Sequence, residues 1–358
     1  MPGRDVRPHR ARLRRGRRRR PGLPPVNGAS PRPRIPLAPL IIQTEALEPE
    51  PGAWLREQGA ELVECAPINP RFAELLPEAA ALLVRTYTVV DEALLERAPN
   101  LRVVARAGVG LDNIDVPACR ARGVEVVHTP GANTRAVVEF VLALALDALR
   151  PRVFLDTPLD QDAWNRARKE LTAPRQLAGS TVGILGLGRV GAGVARAFHA
   201  LDARVIACDV RAPSELRPEA RTLVERGDVA MVDVDTLCAE SGVLSLHVDG
   251  RASNRHLVGA DAFGRFKSDV VLINTSRGFV LDPFACAEFM LAHPGACALL
   301  DVHDPEPFTA AHPLLDLPNV HLAPHLASAT RPAKTNMSWV VRDLWRVLLG
   351  ESPEHPAE

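Results

Sequence analysis

Three polar side chains late in the chain each follow an apolar, strand-like run. Arg277 comes after VVLIN in VVLINTSRG, Glu306 comes after ALLDV in ALLDVHDPEP, and His325 comes after VHLA in VHLAPHLASAT. In an open parallel sheet, the loops at the carboxyl ends of neighbouring strands line one crevice. We therefore expect an arginine, an acid and a histidine to converge, although 29 and 19 residues separate them along the chain.

This combination suits the interconversion of a 2-hydroxy acid and a 2-oxo acid. A guanidinium binds a carboxylate through two parallel hydrogen bonds and polarises the reacting oxygen. An imidazole moves the hydroxyl proton while hydride leaves the carbon. A neighbouring carboxylate fixes the ring tautomer and raises the pKa of the ring from about 6.5. A lone histidine after a proline is more often structural, so the role of His325 depends on Arg277 and Glu306.

A glycine pattern typical of dinucleotide binding lies upstream, in TVGILGLGRVGAGVARAF. Gly186, Gly188 and Gly191 form G-x-G-x-x-G directly after a predicted strand and at the start of a predicted helix. The first glycine permits a tight turn, the second lets the backbone approach a pyrophosphate, and the third allows close packing of helix and strand. The phosphate is expected at the positive helix N-terminus. Packing alone is the alternative explanation of the three glycines.

Asp209 ends the next predicted strand, 18 residues after the last glycine of the pattern. A carboxylate at this position accepts hydrogen bonds from the ribose hydroxyls of NAD and repels the additional phosphate of NADP. The sequence therefore predicts NAD as the cofactor, while the nearby Arg211 softens the preference over NADP.

Two series of short apolar runs alternate with helical segments. The first contains PLIIQ, AALLV and LRVVA, and the second contains TVGIL, VLSLH and VVLIN. This alternation predicts an α/β fold with two doubly wound parallel-sheet domains. A Rossmann NAD-binding domain is expected to be inserted in a flavodoxin-like substrate domain. The predicted limits are 1–38 for a disordered basic tail, 39–132 and 326–352 for the substrate domain, and 133–325 for the Rossmann domain.

The formal net charge is zero, but it is unevenly distributed. Residues 1–34 contain 12 of the 43 basic residues and one of the 43 acidic residues. Such a run repels itself and buries no apolar area, so we expect it to be disordered. It is interpreted as a dispensable extension; an arm that binds nucleic acid or anionic lipid is the alternative. In that case removal of residues 1–34 abolishes a salt-sensitive association. The acidic remainder argues against a broad nucleic-acid surface.

Cysteine usage and hydropathy indicate a cytoplasmic protein with no structural metal. The six cysteines show no CxxC spacing and mostly lie in apolar runs, which predicts buried free thiols. The longest apolar stretch, residues 136–149, contains Glu139 and Asp147. It is too short and too charged for a membrane span and is predicted to be a buried helix.

From about residue 80 to 350 the chain resembles the D-isomer-specific 2-hydroxyacid dehydrogenases, especially the phosphoglycerate dehydrogenase branch. The matching stretches are ARAGVGLDNIDVPACRARGVEVVHTPGANTRAVVE, GILGLGRVG, LINTSRG, LLDVHDPEP and APHLASAT. The resemblance implies catalytic roles for Arg277, Glu306 and His325. It also implies hydride transfer between NAD(H) and a small D-2-hydroxy or 2-oxo acid, in a homodimer or larger assembly.

The same resemblance implies contacts with the cofactor and the substrate. The implied cofactor contacts are Arg189, Val190, Asp209, Val248, Thr275 and Asp301. The implied substrate contacts are Arg85, Arg106, Gly108, Val109 and Asn133.

The substrate is predicted less sharply than the reaction. RTYTVV (85–90) stands where phosphoglycerate enzymes have RSATKV-like residues, and the missing lysine weakens the case for a phosphorylated substrate. The leading candidate is 3-phosphoglycerate, and glyoxylate or hydroxypyruvate reduction is the alternative. An NAD-sensing corepressor that turns over poorly is an alternative of another class. A C-terminal domain for serine feedback is not expected.

Overall fold

The computed structural model describes residues 38–150 and 152–357. The predicted disordered tail, residues 1–38, lies outside the described residues except for its last position. The described residues belong to one compact unit that contains two parallel β-sheets. This confirms the predicted α/β class, while the limits of the two domains stay a prediction.

The first sheet of this described part has five strands, and all of its pairings are parallel. Its strands are β1 (Leu40–Gln43), β2 (Glu61–Glu64), β3 (Ala81–Val84), β4 (Val103–Arg106) and β5 (Glu125–Val127). Their spatial order is β2-β1-β3-β4-β5. This is the flavodoxin-like order, in which ligands bind beyond the carboxyl ends of the strands.

Helices cover both faces of the first sheet. Successive strand residues point to opposite faces, so an apolar strand places side chains that must be buried on both of them. Ile42 belongs to the apolar core on one face, and its neighbour Ile41 belongs to the core on the other. The connecting helices are α1 (Pro49–Glu57), α2 (Pro70–Leu75), α3 (Glu92–Glu96) and α4 (Val116–Ala121).

The second sheet, within residues 152–357, has seven strands, again with parallel pairings only. Its strands are β6 (Thr181–Leu185), β7 (Arg204–Cys208), β8 (Ala230–Met231), β9 (Val243–Leu246), β10 (Val271–Asn274), β11 (Cys297–Leu300) and β12 (Val320–Leu322). Their order is β12-β11-β10-β9-β6-β7-β8. This is the Rossmann order extended by one strand at the β12 edge.

The next group of helices precedes or accompanies the second sheet. They are α5 (Thr134–Leu149), α6 (Gln161–Glu170), α7 (Arg189–His199), α8 (Pro218–Glu225), α9 (Val234–Glu240), α10 (Ala260–Phe263) and α11 (Pro283–Ala292). The predicted helix over residues 136–149 is α5, which packs against α7 and β10. Among the described residues, no helix is both long enough and apolar enough to cross a bilayer.

The chain returns to the first sheet after completing the second. The last helices are α12 (Arg331–Ser338) and α13 (Val341–Leu349), and α13 packs against β4 and α1. The rings of Trp54 and Trp339 meet edge to face, with centroids 6.2 Å apart. The second sheet is thus inserted, in sequence order, between segments that build the first.

Candidate active site

The carboxyl edge of the second sheet brings together the three candidate catalytic side chains. Arg277 follows β10, Glu306 follows β11 and His325 follows β12, and these strands are neighbours in the sheet. The Nδ1 atom of His325 lies 2.9 Å from Oε2 of Glu306. The charge of Arg277 lies close enough to oppose protonation of the same ring. The three groups therefore share one crevice.

A hydrogen bond sets the tautomer of the His325 ring. Because the Glu306 carboxylate accepts at Nδ1, that nitrogen carries a proton and Nε2 is left for another partner. This hydrogen bond raises the pKa of His325 above its ordinary value, and burial opposes it only in part. Burial raises the pKa of Glu306, but hydrogen bonds from His325 and the His303 N–H outweigh it and lower that pKa. The pair can hold and release a proton at the crevice.

Asp301 fixes the backbone that carries His325. It is fully buried at the end of β11, and burial raises the pKa of its carboxyl group. Its carboxylate accepts hydrogen bonds from the Leu326 N–H at 2.6 Å and the Ala327 N–H at 2.8 Å. Its carbonyl accepts from the His325 N–H at 2.9 Å. These bonds hold His325 at a left-handed φ of 55°, which a side-chain-bearing residue adopts only when its surroundings enforce it.

The loop that carries Arg277 is held by a buried asparagine. The Asn274 side chain accepts from both the N–H and the hydroxyl of Ser276 and donates to the Arg277 carbonyl. Gly278 must lack a side chain, because a Cβ there would overlap the backbone of His303. The glycine lets this loop pack directly against the loop that leads to Glu306.

The glycine loop has the geometry that the sequence predicts. Gly186 has a φ of 94°, and a Cβ there would lie 2.7 Å from the His247 carbonyl oxygen. A Cβ at Gly191 would overlap the Gly186 carbonyl, whereas Gly188 has open space beside it. Gly188 precedes α7 without a side-chain cap. An open glycine at a positive helix N-terminus is the cradle that a pyrophosphate requires.

Asp209 follows β7 beside the glycine loop, but its carboxylate is already engaged. Arg211 donates to it from Nε at 2.9 Å and from Nη2 at 2.8 Å. The Leu187 N–H donates at 2.7 Å. Burial raises the pKa of Asp209, but the hydrogen bonds from Arg211 and Leu187 outweigh it and lower that pKa. Sequence reasoning named Arg211 as a neighbour and did not foresee this bidentate pair.

The remaining predicted cofactor residues surround the same edge. Val248 follows β9, and Thr275 directly follows β10. The Thr275 hydroxyl is buried without a hydrogen-bond partner, and such a group normally finds one. An orphaned hydroxyl on the sheet edge that also carries the open glycine loop fits a dinucleotide. Arg189 and Val190 begin α7.

The predicted substrate residues, except Asn133, lie at the carboxyl edge of the first sheet. Arg106 ends β4, and its guanidinium lies so close to Gly108 that a Cβ there would overlap it. Burial and the neighbouring charge of Arg277 lower the pKa of Arg106 to about 10. This interaction places the two guanidinium groups near each other across the two sheets. Val109 uses its carbonyl to bind the His128 ring, and Asn133 occupies the N-cap position of α5.

Glu45 organises the loop that carries Arg85, and sequence reasoning missed it. Its carboxylate accepts hydrogen bonds, at 2.9 to 3.1 Å, from four consecutive backbone N–H groups, those of residues 85–88. Burial raises the pKa of Glu45, but these bonds outweigh it and lower that pKa. The Arg85 side chain donates to the Ala46 carbonyl at 3.2 Å. Nothing in the type or spacing of Glu45 indicates backbone partners some 40 residues away.

Asp112 and Asn113 were also missed, although they lie within the stretch that carries the resemblance. The Asn113 side chain accepts from Arg106 Nε at 3.1 Å and donates to the carbonyls of Arg85 and Thr88. Asp112 accepts from Arg277. Their presence in GVGLDNID was the available signal, since polar residues after a strand of the first sheet face the same crevice.

A Rossmann sheet with a glycine cradle beside an Arg–Glu–His crevice defines the architecture of a nicotinamide-dependent dehydrogenase. The chain belongs to the D-isomer specific 2-hydroxyacid dehydrogenase family, whose NAD binding domain matches residues 142–327. The predicted family and its cofactor, NAD, are thereby confirmed.

Curated relatives of this family match most of the chain. It is 34% identical over 304 residues to D-3-phosphoglycerate dehydrogenase of Archaeoglobus fulgidus, covering 85% of this chain and 56% of that protein. It is 35% identical over 313 residues to glyoxylate reductase of Thermofilum pendens, covering 85% of this chain and 90% of that protein. The chain thus spans little more than half the length of the first relative.

The fold is also similar to solved structures. The TT0316 protein from Thermus thermophilus superposes with a TM-score of 0.74 at 30% sequence identity. The match covers 89% of this chain and all of that one. The similarity therefore extends over both sheets.

Proposed function

We propose that this chain transfers hydride between NAD(H) and a small D-2-hydroxy acid or the corresponding 2-oxo acid. The observation that carries the proposal is the His325–Glu306 hydrogen bond of 2.9 Å, in the crevice that also holds Arg277. This reaction needs a proton donor, a cation that binds the substrate carboxylate and a binding site for the dinucleotide. His325, Arg277 and the glycine loop supply them at one edge of the sheet. The intact Arg–Glu–His set favours an enzyme over the alternative of an NAD-sensing binding protein.

In this proposal each side chain has a separate task. Arg277 binds the substrate carboxylate and polarises the reacting oxygen. His325 donates a proton from Nε2 to that oxygen during reduction and removes it during oxidation. Glu306 keeps the ring oriented and stabilises its charged form. When bound, NADH supplies the hydride that adds to the polarised carbon.

The cofactor is proposed to lie along the carboxyl edge of the second sheet. The glycine loop would hold the pyrophosphate at the N-terminus of α7, and Asp209 would contact the adenosine ribose. Thr275 and Asp301 border the place for the nicotinamide. The proposed cofactor contacts are Gly186, Gly188, Arg189, Val190, Gly191, Asp209, Val248, Thr275 and Asp301.

The sequence resemblance and several curated relatives support 3-phosphoglycerate as the substrate. Two observations favour the second candidate, glyoxylate or hydroxypyruvate. Val89, at the position of the missing lysine, leaves a 59% exposed apolar side chain. The carboxylates of Glu45 and Asp112 lie near the arginines of the crevice, and they reduce the positive charge that a doubly charged phosphate group would need. The proposed substrate contacts are Arg85, Arg106, Gly108, Val109 and Asn133.

A panel of 2-oxo acids assayed with NADH tests this function. Glyoxylate, hydroxypyruvate and 3-phosphohydroxypyruvate are compared at one pH by their kcat/KM values. Reduction of at least one supports the proposed reaction, and the ranking chooses between the two substrate candidates. Tight binding of NADH without reduction of any acid contradicts an enzymatic role and favours the NAD-sensing corepressor.

We also propose a cytoplasmic homodimer. All six cysteines are free, and four of them are buried, as expected for a protein of a reducing compartment.

The proposed dimer contact involves helix α6, which has no buried residue. Phe154 is 84% exposed, Leu155 is 53% exposed and Trp164 is 46% exposed, and we propose that these apolar side chains form the dimer contact.

A further inference from the structure

The candidate catalytic arginine is held from the opposite sheet. Asp112 lies in the loop after β4, and its Oδ2 atom accepts from Arg277 Nε at 3.0 Å and from Arg277 Nη2 at 2.8 Å. The two residues are separated by 165 positions. Both side chains are partly exposed, at 39% for Asp112 and 29% for Arg277. This ion pair therefore joins the two sheets at the crevice itself.

Two glycines make room for this ion pair. A Cβ at Gly110, on the first-sheet side, would overlap the guanidinium of Arg277. A Cβ at Gly250, in the loop that follows β9, would overlap the carboxylate of Asp112. Backbone from both sheets thus approaches the pair more closely than any side chain would permit. The contact is built into both halves of the crevice.

The ion pair uses the edge of the Arg277 guanidinium formed by Nε and Nη2 and leaves N–H groups on the other edges. Arginine has five N–H groups. Nε and Nη2 each donate one to Asp112, and Nη1 donates one to the Ser276 carbonyl at 2.7 Å. Two N–H groups remain, one on each Nη nitrogen, which is the number that a substrate carboxylate needs for bidentate binding.

We propose that Asp112 is a positioning residue: by accepting from Nε and Nη2 of Arg277, it orients the guanidinium so that the two remaining N–H groups meet the substrate carboxylate. The inference rests on the proposed function, because it assigns Arg277 to the carboxylate. It also explains how two guanidinium groups coexist here. Arg106 lies near Arg277 and is bound by Asn113, the residue after Asp112. The Asp112–Asn113 dipeptide therefore orients both arginines.

Asp112→Asn tests this role, because it keeps the shape and removes the charge. Misdirecting a clamping group costs on the order of 100-fold, so we expect kcat/KM for the 2-oxo acid to fall at least about tenfold. The Kd of NADH should stay within about twofold, since Asp112 contacts no part of the glycine loop. Oxamate, a carboxylate shaped like pyruvate, should bind the NADH-loaded variant at least about tenfold more weakly.

Asp269→Asn is the matched control. Asp269 binds Arg175 at 2.8 Å in a similarly exposed ion pair at the opposite end of β10. Loss of that carboxylate should change neither kcat/KM nor oxamate binding by more than about twofold. Equal effects of the two variants would mean that Asp112 acts only through general stability.

A double variant separates positioning from an independent role. The Arg277→Lys variant lacks the Nε and Nη2 groups that donate to Asp112. Adding Asp112→Asn in that background should therefore reduce kcat/KM by less than about threefold. Equal losses in both backgrounds would overturn the inference, and so would an unchanged kcat/KM and oxamate Kd in the single variant. If the wild type reduces no 2-oxo acid, the proposed function fails, and the oxamate Kd still decides the role of Asp112.

Discussion

His325 is held through its ring and through its backbone. Glu306 binds Nδ1, and Asp301 accepts from the N–H groups of residues 325–327 with its carbonyl and its carboxylate. Neither acid has to lie next to the substrate to act in this way. The ring is thus oriented before any substrate arrives, which lowers the cost of reaching the reactive geometry.

Replacement of His325 tests its part at the residue scale. His325→Ala should reduce kcat by roughly 100-fold or more, the usual contribution of an acid–base group, while the Kd of NADH stays nearly unchanged. His321→Ala is the control and should behave like the wild type, because His321 lies within β12, the strand before His325, with an exposed side chain. A His325→Ala enzyme with normal turnover would exclude His325 as the proton donor.

The Glu306–His325 hydrogen bond predicts a pH effect. Reduction needs protonated His325, so kcat/KM should be constant at low pH and fall as the pH rises through the histidine pKa. That pKa is raised in the wild type, first by the hydrogen bond to Glu306. In Glu306→Gln the descending limb should move to lower pH, because the carboxylate no longer stabilises the imidazolium. The pH profiles of the two enzymes would contradict this account if their limbs coincide.

At the scale of elements, the loops after the strands carry the site. Sequence alone predicted Arg277, Glu306 and His325 because each follows a short apolar strand, and such residues meet at the carboxyl edge of a parallel sheet. It predicted the glycine loop because the G-x-G-x-x-G spacing between a strand and a helix is itself visible in the sequence. Glu45 escaped prediction because it binds backbone N–H groups, which every residue type except proline supplies. The Asp112–Arg277 contact escaped because it depends on how two separate sheets approach each other.

Glu45 gives a prediction about the substrate loop. Glu45→Gln replaces an acceptor of four N–H groups by a neutral amide, so residues 85–88 should lose their fixed geometry. The KM of the 2-oxo acid should rise roughly fivefold or more, with a smaller change in kcat and none in the Kd of NADH. Glu64→Gln, at the exposed end of β2, is the control. A KM unchanged by Glu45→Gln would mean that the loop does not contact substrate.

At the scale of the whole molecule, two sheets with different strand orders meet at one crevice. The flavodoxin-like sheet contributes Arg85, Arg106 and Asp112, and the Rossmann sheet contributes the acid–base pair and the glycine cradle. The chain enters and leaves the second sheet beside the first, through α5 and α12.

The exposed apolar side chains of Phe154, Leu155 and Trp164, before and within α6, predict where the two subunits of the proposed dimer meet. Phe154→Asp combined with Leu155→Asp should convert the proposed dimer to a monomer, because charges at a buried apolar contact are costly. Multi-angle light scattering after size exclusion measures the mass directly. Ile68→Asp, at a 94% exposed site in the turn between β2 and α2, should leave the mass unchanged. A wild-type protein that already runs as a monomer would refute this assignment.

The central claim is that His325, oriented by Glu306, exchanges a proton with a D-2-hydroxy acid whose carboxylate Arg277 binds, while NAD exchanges hydride with it. The most direct measurement is the rate of NADH formation from NAD with the separate D and L enantiomers of 3-phosphoglycerate, glycerate and lactate. We expect NADH to form with a D enantiomer and not with its L counterpart, and the rate to collapse in His325→Ala. NADH formation from the L enantiomers, or from neither enantiomer although NAD binds, would contradict the account.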